Sequence, residues 1–171
     1  MSRVVVKTAL VVAVTTLVQF TLGLDVRLGG ATPELLFLLP VAAGIAGGSV
    51  AGAVVGFVAG MAADLLTTTP FGLSALVGTL IGAAVGVGTG NLVRQVWWFP
   101  SLVALCASAV AVMLYAVLGA VLGNDQFLHV GLPAVVAVVS IVNALLAAPA
   151  LRAARWALDE GGERAPAGGR R

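Results

Sequence analysis

The chain has 171 residues, of which 60% are hydrophobic and 9% charged, and its formal net charge is +2. A soluble domain is about 45–50% apolar and about 25% charged, so this composition excludes a water-soluble globule and places the chain in a membrane. Its one cysteine, Cys106, lies in an apolar run; a disulfide framework is excluded, and the residue reads as a small buried hydrophobe.

The N-terminus carries Arg3 and Lys7 and then an apolar run to Leu24, after which Leu24-Asp25-Val26-Arg27 offers a poor cleavage site. The segment reads as a retained first span rather than a signal peptide. Further apolar segments fall at 33–48, 49–66, 71–91, 101–122 and 130–151, against a requirement of about 20 apolar residues per span. Taken as one helix, 33–63 would rise roughly 46 Å, well beyond a hydrocarbon core of about 30 Å. Gly44-Ile45-Ala46-Gly47-Gly48-Ser49 offers a place to turn, so two shorter spans are expected there.

Two glycine ladders cross this region: Gly44, Gly48, Gly52, Gly56, Gly60, then Gly78, Gly82, Gly86, Gly90. A four-residue step places them on one stripe of a helix. Each interior Gly costs about 0.5–1 kcal/mol relative to Ala. In lipid, however, a small-xxx-small stripe lets two backbones approach closely enough for van der Waals contact to hold them. Gly48, Gly52, Gly56, Gly60, Gly78, Gly82, Gly86 and Gly90 are therefore expected to pack two helices together.

Thr32-Pro33-Glu34 and Thr69-Pro70 each place a Thr where an N-cap belongs and a Pro at the first helical position. Both would open spans, the second and the fourth. Past Asp159 the chain has no apolar run to fold, so 1–157 is expected to form the membrane domain and 158–171 a disordered cytoplasmic tail.

Charge distribution fixes the expected topology. With six spans and a cytoplasmic N-terminus, Arg3, Lys7, Arg94, Arg152, Arg155, Arg164, Arg170 and Arg171 face the cytoplasm and only Arg27 lies outside. Five spans would move Arg94 and the basic C-terminus across, against the positive-inside rule. Trp97, Trp98 and Trp156 then fall beside Arg94 and Arg155 as interfacial anchors. The expected fold class is an all-α integral membrane protein, a six-helix transmembrane bundle with both termini inside.

Ionisable groups within spans are functional candidates by default. Asp64 follows the first ladder and precedes Leu65-Leu66-Thr67-Thr68-Thr69-Pro70. It can cap the turn that opens the next span, anchor a partner or a polar gap between helices, or serve an ion relay. The last is disfavoured because no second carboxylate or His shares its span. Gln19 and Asn143 are expected to hydrogen-bond across helices, and His129, alone on a loop near Asn124 and Asp125, to be solvated. No metal-ligand cluster, phosphate-binding Gly-Lys-Ser/Thr loop or Ser/His/Asp set is present in the sequence. No enzyme, cofactor, metal or nucleic-acid reading finds residues to carry it.

Pro33-Glu34-Leu35-Leu36, the run Gly52 to Gly60 closing in Asp64-Leu65-Leu66, and Pro70-Phe71-Gly72-Leu73 resemble the MreD family of rod shape-determining membrane proteins. The family carries a Pro-acid-Leu-Leu start, a Gly-x-x-x-Gly run ending in Asp-Leu, and a Pro-x-Gly-Leu step. The inner turn Ala46-Gly47-Gly48-Ser49 departs from it by lacking a basic residue. The resemblance implies a non-enzymatic scaffold of cell elongation in the bacterial plasma membrane. It would bind the single-pass protein MreC and help couple MreB filaments to a RodA-type glycosyltransferase and its class B penicillin-binding partner. Pro33, Glu34, Asp64, Thr69, Pro70 and Gly72 become candidate structural or partner-site residues. The family is also similar in fold to the substrate-binding subunits of energy-coupling-factor transporters, which leaves a vitamin-type uptake subunit as the alternative. Such a pocket needs aromatic and polar groups converging near the outer face. Asp25, Asp64, Asn124, Asp125 and His129 are a thin set for that.

Overall fold

The computed structural model describes residues 3–25, 35–66, 71–89, 98–122 and 131–159. Within them the chain forms α1 (Arg3–Asp25), a 3-10 turn (Leu35–Phe37), α2 (Leu38–Leu66), α3 (Leu73–Thr89), α4 (Phe99–Val121) and α5 (Leu132–Leu158), and no strand. Three stretches, Leu35–Leu66, Phe99–Val121 and Leu132–Leu158, are long and apolar enough to cross a membrane. In the lipid-like interior of such a chain the backbone must satisfy its own hydrogen bonds, which is why apolar segments this rich in Gly and Val nevertheless form helices.

α2 is not a single rod. Gly48 has φ 80° and ψ −171°, a conformation open essentially to glycine alone. A Cβ built on Gly52 would lie 2.9 Å from the Cα of Gly44, although eight residues of straight helix would separate the two by about 12 Å. The chain therefore folds back at Gly48. The first arm (38–47) lies along the second (49–66), and Leu36, Leu39 and Ala43 share an apolar cluster with Val55, Ala59 and Ala63. The interruption falls within the segment where the sequence offered a turn.

α3 lies along both arms of α2, the most extensive contact among the described residues, and α4 with α5 forms the next. The main core joins them: Phe37 and Val41 from the hairpin, Val77, Ile81 and Val85 from α3, Ala104, Ala107 and Ala111 from α4, and Ala147 from α5. Tyr115 closes its edge, its ring 5.9 Å from that of Phe37. The small side chains of α4 let it approach closely, as expected where dispersion rather than hydrophobic exclusion holds helices together.

α1 is peripheral. Val12 is buried, but Val5, Val6, Leu10, Val14 and Leu17 face outward. Two polar contacts pin its ends. Lys7 Nζ donates to the carbonyls of Trp156 (3.3 Å) and Asp159 (3.1 Å) at the end of α5, and lies 5.2 Å from the Trp156 ring centroid. This cation meets the carbonyls left open at a helix C-terminus. Nearer the other end, the amide of Leu35 donates to Gln19 Oε1 at 2.6 Å.

Three expectations from the sequence need correction. α3 begins at Leu73, so Thr69 and Pro70 do not supply its cap and first residue. α5 runs unbroken through Pro149 to Leu158, past the expected end at 151, where Lys7 meets its last carbonyls. Cys106 is exposed; on α4 it falls on the face of Leu102, Val110, Met113 and Val117, which all point outward.

Candidate functional site

The glycine seam between α2 and α3 is built from direct backbone contact. A Cβ on Gly78 would lie 2.6 Å from the carbonyl oxygen of Gly56, and one on Gly56 would meet the Gly78 carbonyl in return. Gly52 and Gly82 oppose each other in the same reciprocal way, and Gly60 abuts the backbone of Ser74 and Ala75. The residue sums stay near a constant value, the signature of antiparallel helices in register. No side chain larger than hydrogen fits, since anything under 3.0 Å would force one backbone away from the other.

Gly44 joins the seam from the first arm, where a Cβ would stand 2.7 Å from the Gly82 oxygen and 3.1 Å from the Gly86 nitrogen. Gly44, Gly52 and Gly82 thus meet as three backbones. Gly48 plays a different part from its ladder neighbours: a Cβ there would meet nothing, and its contribution is the positive φ that turns the chain. Gly86 packs against that turn, at Gly48 and Ser49. Gly90 lies outside the described residues.

Asp64 closes the far end of the seam. Its side chain is 4% exposed, yet it faces three amide donors. Gly72 N donates to Oδ2 at 2.9 Å, Ser74 N to Oδ1 at 3.1 Å, and Ala75 N to Oδ2 at 3.3 Å. These are orphan N–H groups at the start of α3. A carboxylate placed on them satisfies the donors and complements the positive end of the helix dipole. The chain reaches this geometry through Gly72, whose φ of 94° turns it into α3. Of the alternatives open for Asp64 in the sequence, the geometry gives the capping role. This cap comes from the preceding helix.

Gln19 and Asn143 both bond across elements, Gln19 to the amide of Leu35 and Asn143 Nδ2 to Ser108 Oγ at 2.8 Å. The second contact ties α4 to α5 with both residues fully buried. Pro33, Glu34, Thr69 and Pro70 lie outside the described residues, as do Asn124, Asp125, His129, Arg94 and Trp97. Among the described residues no group of three or more His, Cys, Asp or Glu side chains converges on a common point. The Lys7 contact and the role of Gly47, which accommodates Leu158 of α5, were not foreseen. No local pattern marks a lysine that will meet a helix end some 150 residues away.

The segments that form this seam are the ones whose motifs resembled a known family. The model of that family, rod shape-determining protein MreD, matches residues 2–150. The chain belongs to the MreD family. The match spans α1 to most of α5, so it covers the hairpin, the glycine seam and the Asp64 cap together. No curated protein and no solved structure matches the chain. Membership places this protein in bacterial rod-shape determination, as a membrane component of the shape machinery.

Proposed function

We propose that this MreD-family protein is a non-enzymatic scaffold of the elongation machinery, presenting a rigid helical surface to MreC and, through it, to MreB filaments and the RodA-type synthase with its class B penicillin-binding partner. The observation that carries this reading is the use made of Asp64. A carboxylate at this depth is a default candidate for transport or catalysis, and here both of its oxygens are taken up by the backbone of α3. With the Gly52–Gly82 and Gly56–Gly78 contacts, it favours a fixed framework over a moving or reacting one. Affinity purification from membranes in mild detergent tests the assignment. MreC and the synthase pair are expected to co-purify; recovery of an ATPase module instead would favour a vitamin-type uptake subunit and the transporter-like fold.

We further propose six crossings with both termini cytoplasmic. The Lys7 contact with Trp156 and Asp159 supports this, because it brings the beginning of α1 and the end of α5 to one face. An even number of crossings follows if the α2 hairpin counts as two. The basic residues then gather on one side, as the positive-inside rule requires. Single cysteines at Ser2, Asp125 and Gly168 in a Cys106→Ala background should label from outside in intact cells only at position 125. Outside labelling at 168 would remove the six-span arrangement.

A further inference from the structure

An apolar groove of about 630 Å³ runs between α1 and the second arm of α2, lined among others by Ala9, Ala13, Thr16 and Thr21 on one side and Val58 and Ala62 on the other. It exists because α1 is pinned elsewhere. Lys7 draws one end toward α5 and Gln19 draws the other toward Leu35, and the alanines between are too short to reach α2.

We propose that this groove holds one acyl chain of a membrane phospholipid as a fixed part of the bundle. The chemistry of the lining excludes a polar guest. Its two hydroxyls are already engaged with their own helix, Thr16 Oγ1 donating to the Val12 carbonyl at 2.8 Å and Thr21 Oγ1 to that of Leu17 at 2.9 Å. A polar ligand would be desolvated with nothing to receive it. Water gains no partners there either, and an apolar cavity stays dry or takes an apolar guest. In a membrane protein the medium at the mouth of the groove is hydrocarbon. The length also fits: Ala9 to Thr21 rises about 18 Å at 1.5 Å per residue, close to one leaflet, half of a core of about 30 Å. A transmembrane helix of a partner would need a face along the whole of that core and some 10 Å wide, longer than this groove.

The test uses the full-length protein in vesicles of phosphatidylglycerol and phosphatidylethanolamine doped with a phospholipid carrying a diazirine in its acyl chain. After photolysis, mass spectrometry locates the labelled residues. Labelling of the Ala9–Thr21 and Val58–Ala62 peptides should exceed that around Val110 and Val117, outward-facing positions of α4 that report ordinary surrounding lipid, by several-fold. Val58→Trp and, separately, Ala13→Phe should fill the groove and bring its labelling down to the α4 level, leaving α4 unchanged. Both positions are exposed, so neither variant disturbs the core. Equal labelling at the groove and at α4 in the unsubstituted protein would overturn the proposal. So would groove labelling that neither variant reduces. None of these outcomes bears on recovery of MreC, so the scaffold reading stands or falls separately.

Discussion

Gly56→Leu and Gly82→Leu should each abolish the folded protein, seen as loss of membrane abundance and of shape-supporting activity in complementation. Ordinary overpacking costs about 1–3 kcal/mol because side chains can shift. Here the Cβ itself meets the backbone of the facing helix, at the Gly78 carbonyl for Gly56 and at the Gly52 carbonyl for Gly82. Relief requires the two helices to separate along their length, and lipid does not restore the lost contact. Even alanine should be damaging at either position. Val54→Leu, on the outward face of the same arm, is the control and should be tolerated. Normal abundance and activity for both glycine variants would show that the seam is not where the helices meet.

Asp64 should show a graded response: wild type, then Asp64→Asn, then Asp64→Leu. From sequence alone an amide is expected to keep most of a capping role. The geometry lowers that expectation, because the carboxylate receives donors on both oxygens. Asparagine can keep the Gly72 and Ala75 amides on its one oxygen, but its NH₂ would then face the Ser74 N–H, donor against donor. It also loses the charge that strengthens these bonds and complements the helix dipole. Leucine leaves all three amides bare, each at about 1–3 kcal/mol if buried. Abundance and thermal stability in detergent should therefore fall in that order, with cell-shape complementation following abundance. Complete loss of function for Asp64→Asn at normal abundance, with MreC still bound, would instead mean that the proton or charge of Asp64 is itself used.

Much of this was legible in the sequence for physical reasons. A four-residue glycine step amid Val, Ala and Leu has few explanations outside lipid, and the seam it indicated is made by Gly52, Gly56, Gly60, Gly78 and Gly82. The place of the turn was legible too, because a 32-residue apolar stretch is too long for one crossing. Which glycine turns was not. Gly44 and Gly48 look alike in the ladder, and only the path of the backbone makes one a contact and the other a bend. The sequence offered two candidates for the start of α3, because a local Thr-Pro signal competes with a carboxylate eight residues before Gly72. Sequence spacing favours the near candidate, and the fold-back of α3 on α2 brings the distant one into place. Cys106 was misplaced for a related reason: in a membrane helix an apolar run has no inherent inside, and small residues serve a lipid face as well as a core.

The fold-back at Gly48 is the feature on which the seam, the cap and the scaffold reading all depend, and a single cross-link tests it. Leu39 and Ala59 belong to the same apolar cluster on opposite arms of α2. Replacing both by cysteine in a Cys106→Ala background roughly conserves volume, one position shrinking as the other grows. Oxidation in membranes should give an intramolecular disulfide, read as protection of both thiols from alkylation in the monomer. A continuous helix would hold the two positions about 30 Å apart at 1.5 Å per residue. Free, alkylatable thiols at both positions in a monomer of normal abundance would contradict the account.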